Sequence, residues 1–169
     1  MLHYIRRKTC IMKNPLTVNE YENTDELDSV RQELIQVAKE HTKHSYSPYS
    51  KFAVGAAILL ENGKILGGSN QENASYPLCL CAERTALAAA ASIYPNIPIV
   101  SIAVTAFADG DFVSDPVSPC GACRQVISEN SYRYNRKTEV ILYSQNKIIV
   151  MESIASLLPL GFEGSSLPK

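Results

Sequence analysis

The stretch Cys81-Ala82-Glu83-Arg84 and the later stretch Pro119-Cys120-Gly121-Ala122-Cys123 decide how this chain is read. Each follows an irregular or polar segment and opens a helical run. The first continues through Leu87 and Ala88–Ala91 to about Ser92, the second to about Asn130. Alanine is the strongest helix former, and small side chains let another element approach closely. Cys81, Cys120 and Cys123 therefore fall at helix N-termini, where partial positive charge favours the thiolate. Three thiolates suit zinc, which takes four ligands and at a catalytic site keeps one position open for water.

Working outward, residues 1–23 read as an N-terminal extension, carrying Arg6, Arg7 and Lys8 and lacking a sustained targeting pattern. The first helix is expected from about Asp25 to Lys43, capped by Thr24 or Asp25, with Leu27, Val30, Leu34, Val37 and Ala38 as its apolar stripe. His41 and His44 close it as ordinary C-terminal histidines. Phe52–Leu60 and Ile65–Asn70 read as strands joined by a tight Asn62-Gly63 turn. Ile99–Ala106, Glu139–Tyr143 and Lys147–Met151 are further strands, Asp109–Ser118 is a polar loop, and Ser153 caps a short helix through Leu158. Helix, hairpin, helix, strand, helix, strand, strand, short helix is the order of a single-domain α/β protein: one central mixed β-sheet flanked by helices, over residues 24–169.

The 169 residues suffice for one domain with a proper core, at 46% hydrophobic and 20% charged. A net charge of −1 argues against a polymeric nucleic-acid partner. No apolar run approaches the roughly 20 residues of a membrane helix, and no signal-peptide pattern opens the chain. A cytoplasmic enzyme acting on a small molecule is the expectation. Four of the five cysteines (Cys10 excepted) crowd into the two motifs, which favours thiolate ligands or a redox pair over structural disulfides.

Glu83 stands two residues from Cys81. As a general base it can take a proton from water on the metal; as a general acid it can protonate a ring nitrogen and a leaving ammonia. Three thiolates on Zn²⁺ leave a formal −1, so a partner must withdraw charge from sulfur. Arg84, adjacent and always protonated, is the candidate. Two other readings stay open on the cysteines alone. Cys120 and Cys123 suit a thiol–disulfide pair, and Cys79, Cys81, Cys120 and Cys123 suit a structural zinc site. Both leave Glu83 without a role.

With these residues in hand the chain resembles the small, zinc-dependent, homotetrameric cytidine deaminases. The resemblance spans roughly residues 28–163. It rests on the two cysteine motifs, a C-x-E…P-C-x-x-C pattern, and on the segments 49–57 (Tyr49 to Ala57), 70–77 (Asn70 to Pro77) and Leu157-Leu158-Pro159 with Phe162. It implies a three-layer α/β/α domain holding one Zn²⁺ per chain through Cys81, Cys120 and Cys123, with Glu83 catalytic through zinc-bound hydroxide. It implies that Phe52 packs on the pyrimidine, Asn70 and Glu72 bind sugar hydroxyls, and the Ala74 backbone reads the base edge with Glu83. Phe162 would reach a neighbouring subunit's site and Tyr76 would form a subunit contact. The implied reaction converts cytidine and 2′-deoxycytidine to their uridine counterparts in pyrimidine salvage. The alternatives are a deaminase for another base, an aminonucleoside antibiotic or a polynucleotide, and a non-catalytic zinc-stabilised assembly module. The chain departs from the pattern at Cys79, where a small residue is expected, and in its N-terminal extension and longer Asp109–Ser118 loop.

Overall fold

The structure is a computed structural model and describes residues 18–168. Arg6, Arg7, Lys8 and Cys10 lie outside the described residues. The strands are β1 (Asn19–Tyr21), β2 (Ala53–Leu60), β3 (Ile65–Ser69), β4 (Ile99–Ala108), β5 (Asp111–Phe112), β6 (Glu139–Tyr143) and β7 (Ile148–Met151). The helices are α1 (Ser29–Thr42), α2 (Ala82–Ile93) and α3 (Gly121–Arg133). One mixed sheet runs β1-β7-β6-β4-β2-β3, with β5 paired to β4. Only β4 and β6 are parallel among these pairs. A parallel pair needs a long crossover, and α3 lies within it.

Alternation along the strands sorts the two faces. Ala56, Ile58 and Leu60 of β2, Ile102 and Val104 of β4, and Val140 and Leu142 of β6 pack with Ala82, Ala86, Leu87 and Ala90 of α2 and Ile127 of α3. The intervening Ala57, Ala103 and Ile141 face Leu34, Ile35 and Ala38 of α1. A sheet between α1 on one side and α2 with α3 on the other is the expected three-layer domain. Alanine at the centre of β2 and β4 lets α1 sit close. At Gly55, a Cβ would stand 2.0 Å from the Ala38 carbonyl oxygen. Leu34 and Ile35 are fully buried there, each worth about 1.5–3 kcal/mol.

The entry to α1 differs from the sequence expectation. Thr24–Glu26 form a 3₁₀ turn, and α1 starts three residues later with Asp28 as its cap. Asp28 accepts from the backbone N–H of Val30 at 3.1 Å and Arg31 at 3.0 Å. The stripe differs too: Ile35 is buried with Leu34 and Ala38 against the sheet, and Val30 is 46% exposed. Arg31 then bridges outward and inward: its Nη1 donates to Asp28 at 2.7 Å, its Nη2 to Glu139 of β6 at 2.5 Å. The backbone N–H of Arg31, with the neighbouring guanidinium, holds the Asp28 carboxyl below the usual carboxylate range. Asp28→Ala is expected to cost about 1 kcal/mol in denaturant melts at neutral pH, the usual value of an N-cap. Because the folded pKa is depressed, that stability is present above about pH 4 and is lost as pH falls through the folded value, so the two proteins converge in acid.

Two other departures concern edges. Asn19–Tyr21, inside the stretch assigned to the extension, pairs antiparallel with β7 and covers that sheet edge. Asp109-Gly110 lies within the stretch read as a polar loop, and the two residues have φ of 54° and 89°. Positive φ at both central positions matches the right-handed twist of a hairpin, so the chain folds back as β5. The Asn62-Gly63 hairpin and the Ser153 cap stand where they were expected, the latter on a 3₁₀ turn, Ile154–Ser156. Among the described residues no helix is long and apolar enough to cross a membrane.

Candidate active site

The helices α2 and α3 lie on one face of the sheet with their N-termini together. Cys81 is the N-cap residue of α2 and Cys120 that of α3. Their sulfurs are 3.8 Å apart, although 39 residues separate them in sequence. Cys123, one turn into α3 and buried, brings its sulfur to 3.5 Å from that of Cys120. The three ligand atoms lie within 4.8 Å of one another. Thiolates placed tetrahedrally at about 2.3 Å from zinc stand about 3.8 Å apart, so the cluster has the size of a zinc site. Cys79, His41 and His44 are not in it. The Cys79 sulfur instead accepts from the Asn73 N–H at 3.2 Å.

The charges around the thiols favour ionisation at one of them. Hydrogen bonding from Cys123, with help from Arg84, pulls the Cys81 thiol down to about 5. Its hydrogen bond to Cys81, together with burial, pushes Cys123 up. Arg84 Nη2 donates to the Cys79 carbonyl at 2.9 Å and approaches the Cys81 sulfur at 3.8 Å. Glu83, in the first turn of α2, is only 4% exposed. Burial raises its carboxyl above the ordinary range.

A cavity of about 270 Å³ opens against this cluster. Cys81, Cys120 and Glu83 line it together with Phe52, Asn70 and Glu72. Alternation explains the far wall: Val54 and Val104 share the sheet face that α2 covers, and Phe52 precedes Val54 by two. Glu72 Oε2 accepts from the Tyr49 N–H at 2.9 Å and the Ser50 N–H at 3.3 Å. The Ser50 hydroxyl and these amides hold its carboxyl below the ordinary range. Ala74, Tyr76 and Phe162 do not line this cavity within the single chain. Tyr76 stacks edge-on with Tyr49 beside it, at 5.9 Å between ring centres. Sequence reasoning did not assign Val54, Leu80, Val104, Val117 or Ser118 to the wall. Strand alternation carried a signal for Val54 and Val104, and none existed for residues that a loop brings in.

The family described as cytidine and deoxycytidylate deaminase zinc-binding region matches residues 28–135. A cytidine deaminase of Sporosarcina psychrophila is 42% identical over 136 residues, 80% of this chain and 93% of that protein. One of Halalkalibacterium halodurans is 42% identical over 137 residues, 81% of this chain and 97% of that protein. The crystal structure of cytidine deaminase from Burkholderia pseudomallei aligns with a TM-score of 0.66 at 43% identity, covering 77% of this chain and 97% of its own. A match over most of the chain, together with a shared fold, means that the chain belongs to the cytidine and deoxycytidylate deaminase zinc-binding family.

Proposed function

We propose that this enzyme hydrolyses free cytidine and 2′-deoxycytidine to uridine and 2′-deoxyuridine with release of ammonia, as a cytoplasmic step of pyrimidine salvage. The observation that carries this reading is the single cavity shared by the thiol cluster, Glu83, and the residues suited to a nucleoside, Phe52, Asn70 and Glu72. Cys81, Cys120 and Cys123 would hold one zinc per chain. When bound, the ion supplies the positive charge that makes a water nucleophilic near neutral pH. Arg84 offsets the surplus thiolate charge through its approach to Cys81.

Phe52 offers an aromatic neighbour to the flat base. Glu72, held ionised, accepts a hydrogen from a sugar hydroxyl, and Asn70 donates to the same oxygen. The Ala74 backbone and Glu83 read the base edge. Glu83 takes a proton from the attacking water as its oxygen bonds to C4, passes it to N3, and delivers a second proton to the departing amine. That second proton comes from the hydroxyl now on C4, so the bond from C4 to the amine breaks as the C4 carbonyl forms, one hydrogen of the water stays on N3 and the other leaves in ammonia. Burial of Glu83 suits this exchange, because a carboxyl raised above its ordinary range takes a proton more readily as a base and moves toward the working pH, where it can also give the proton back.

Phe162 and Tyr76 are 59% and 69% exposed on one chain. A homotetramer in which Tyr76 forms a contact and Phe162 completes a neighbour's site accounts for both. The test is ultraviolet absorbance with zinc-loaded protein and a panel of cytidine, 2′-deoxycytidine, CMP and adenosine. The first two are expected to convert and the others not. An inert protein carrying one zinc per chain would overturn the reading.

A further inference from the structure

The direction of the Asn70 side-chain amide is set by partners that cannot exchange roles. The Val54 N–H, a donor only, faces Oδ1 at 2.8 Å, and the Phe52 carbonyl, an acceptor only, faces Nδ2 at 2.9 Å. Oδ1 also takes a 2.5 Å hydrogen bond from the Ser45 hydroxyl. Oδ1 has no hydrogen to give, so the one hydroxyl hydrogen of Ser45 is committed to it. The 3.1 Å contact between the Ser45 and Ser47 hydroxyls is then made with the hydrogen of Ser47. Both lone pairs of Oδ1 are filled and one N–H is used. A single N–H of Asn70 has no partner among the described residues, in a side chain that lines the cavity.

Ser45 follows the end of α1 and is laced to the same segment by backbone: the Tyr46 N–H donates to Asn70 O at 3.0 Å, and the Glu72 N–H to Tyr46 O at 2.8 Å. We propose that Ser45 is a positioning residue for sugar recognition, which fills the last acceptor site of Asn70 so that the amide meets the sugar only as a donor. This rests on the reading of Asn70 as a sugar ligand. Without the Ser45 hydroxyl, Oδ1 has an open lone pair and the amide one restraint fewer. The cavity then no longer presents one donor beside the acceptor-only Glu72, the pair that selects a hydroxyl.

The test compares 2′-deoxycytidine with 2′,3′-dideoxycytidine, which lacks the 3′-hydroxyl, on the full zinc-loaded enzyme. Loss of one neutral hydrogen bond is expected to raise KM for 2′-deoxycytidine about three- to tenfold in Ser45→Ala, with kcat little changed. KM for the dideoxy compound should not move. Ser45→Thr, which keeps the hydroxyl, should restore the parent KM, and thermal melts of both variants should match the parent. Asn70→Ala serves as the reference. If its penalty is confined to 2′-deoxycytidine while that of Ser45→Ala is equal on both substrates or absent, the proposal for Ser45 is overturned and the sugar role of Asn70 stands. If the penalty of Asn70→Ala is equal on both substrates, the sugar role falls and the proposal falls with it.

Discussion

Glu83→Gln is expected to lose about 10²–10⁴-fold in kcat while keeping its zinc and its fold, the usual range for removing a general acid–base. Glutamine preserves the shape of the side chain in a position that is 4% exposed. It keeps hydrogen-bonding capacity and cannot carry a proton between water, ring and leaving group. The thiol cluster does not include Glu83, so metal content should remain at the parent level. Cytidine turnover by absorbance, zinc by atomic absorption and a thermal melt check the three parts. Parent-level turnover would remove Glu83 from proton handling, and lost zinc would make it part of the metal site.

Gly68→Val should be among the most damaging single changes away from the cavity. A Cβ at Gly68 of β3 would stand 2.5 Å from the Ala82 carbonyl oxygen and 2.5 Å from the Ala86 nitrogen. Both are backbone atoms of α2, so no side-chain rotation relieves the clash and the helix must move away from the sheet. Overpacking of this kind costs about 1–3 kcal/mol, and more where the obstacle is backbone. The displaced helix carries Cys81 as its cap and Glu83 in its first turn, whereas Cys120 and Cys123 ride on α3. Zinc content and turnover should therefore fall together with stability. Gly121→Ala is the stability control, because a Cβ there meets nothing within 4 Å. Equal melting of the Gly68 variant and the parent would show that α2 has room the packing does not suggest.

Much of the site was legible before folding because its chemistry is local. Cys81 and Glu83 are two residues apart, Cys120 and Cys123 three apart, and helix N-termini were recognisable on both. Other features depend on partners far along the chain. In α1, Val30 and Ile35 each fit helical spacing beside Leu34 and Ala38, and only packing against the sheet decides that Ile35 is buried and Val30 exposed. Asp109-Gly110 carried a hairpin signal that polar composition masked. The three residues Asn19–Tyr21 became a strand because β7 offered an unpaired edge, a property of the sheet and not of the triplet.

By itself the sequence determined the two cysteine motifs with a carboxylate beside them, the Asn62-Gly63 turn and the mixed α/β class, since periodicity, propensity and side-chain chemistry are properties of neighbours in the chain. The tertiary structure alone decided that Cys81 and Cys120 meet at 3.8 Å. It also decided that Phe52, Asn70 and Glu72 share the thiols' cavity, and that the Ser45 hydroxyl is committed to Asn70. Those are distances between segments, set by how closely two helices can lie on a sheet faced with alanine and glycine.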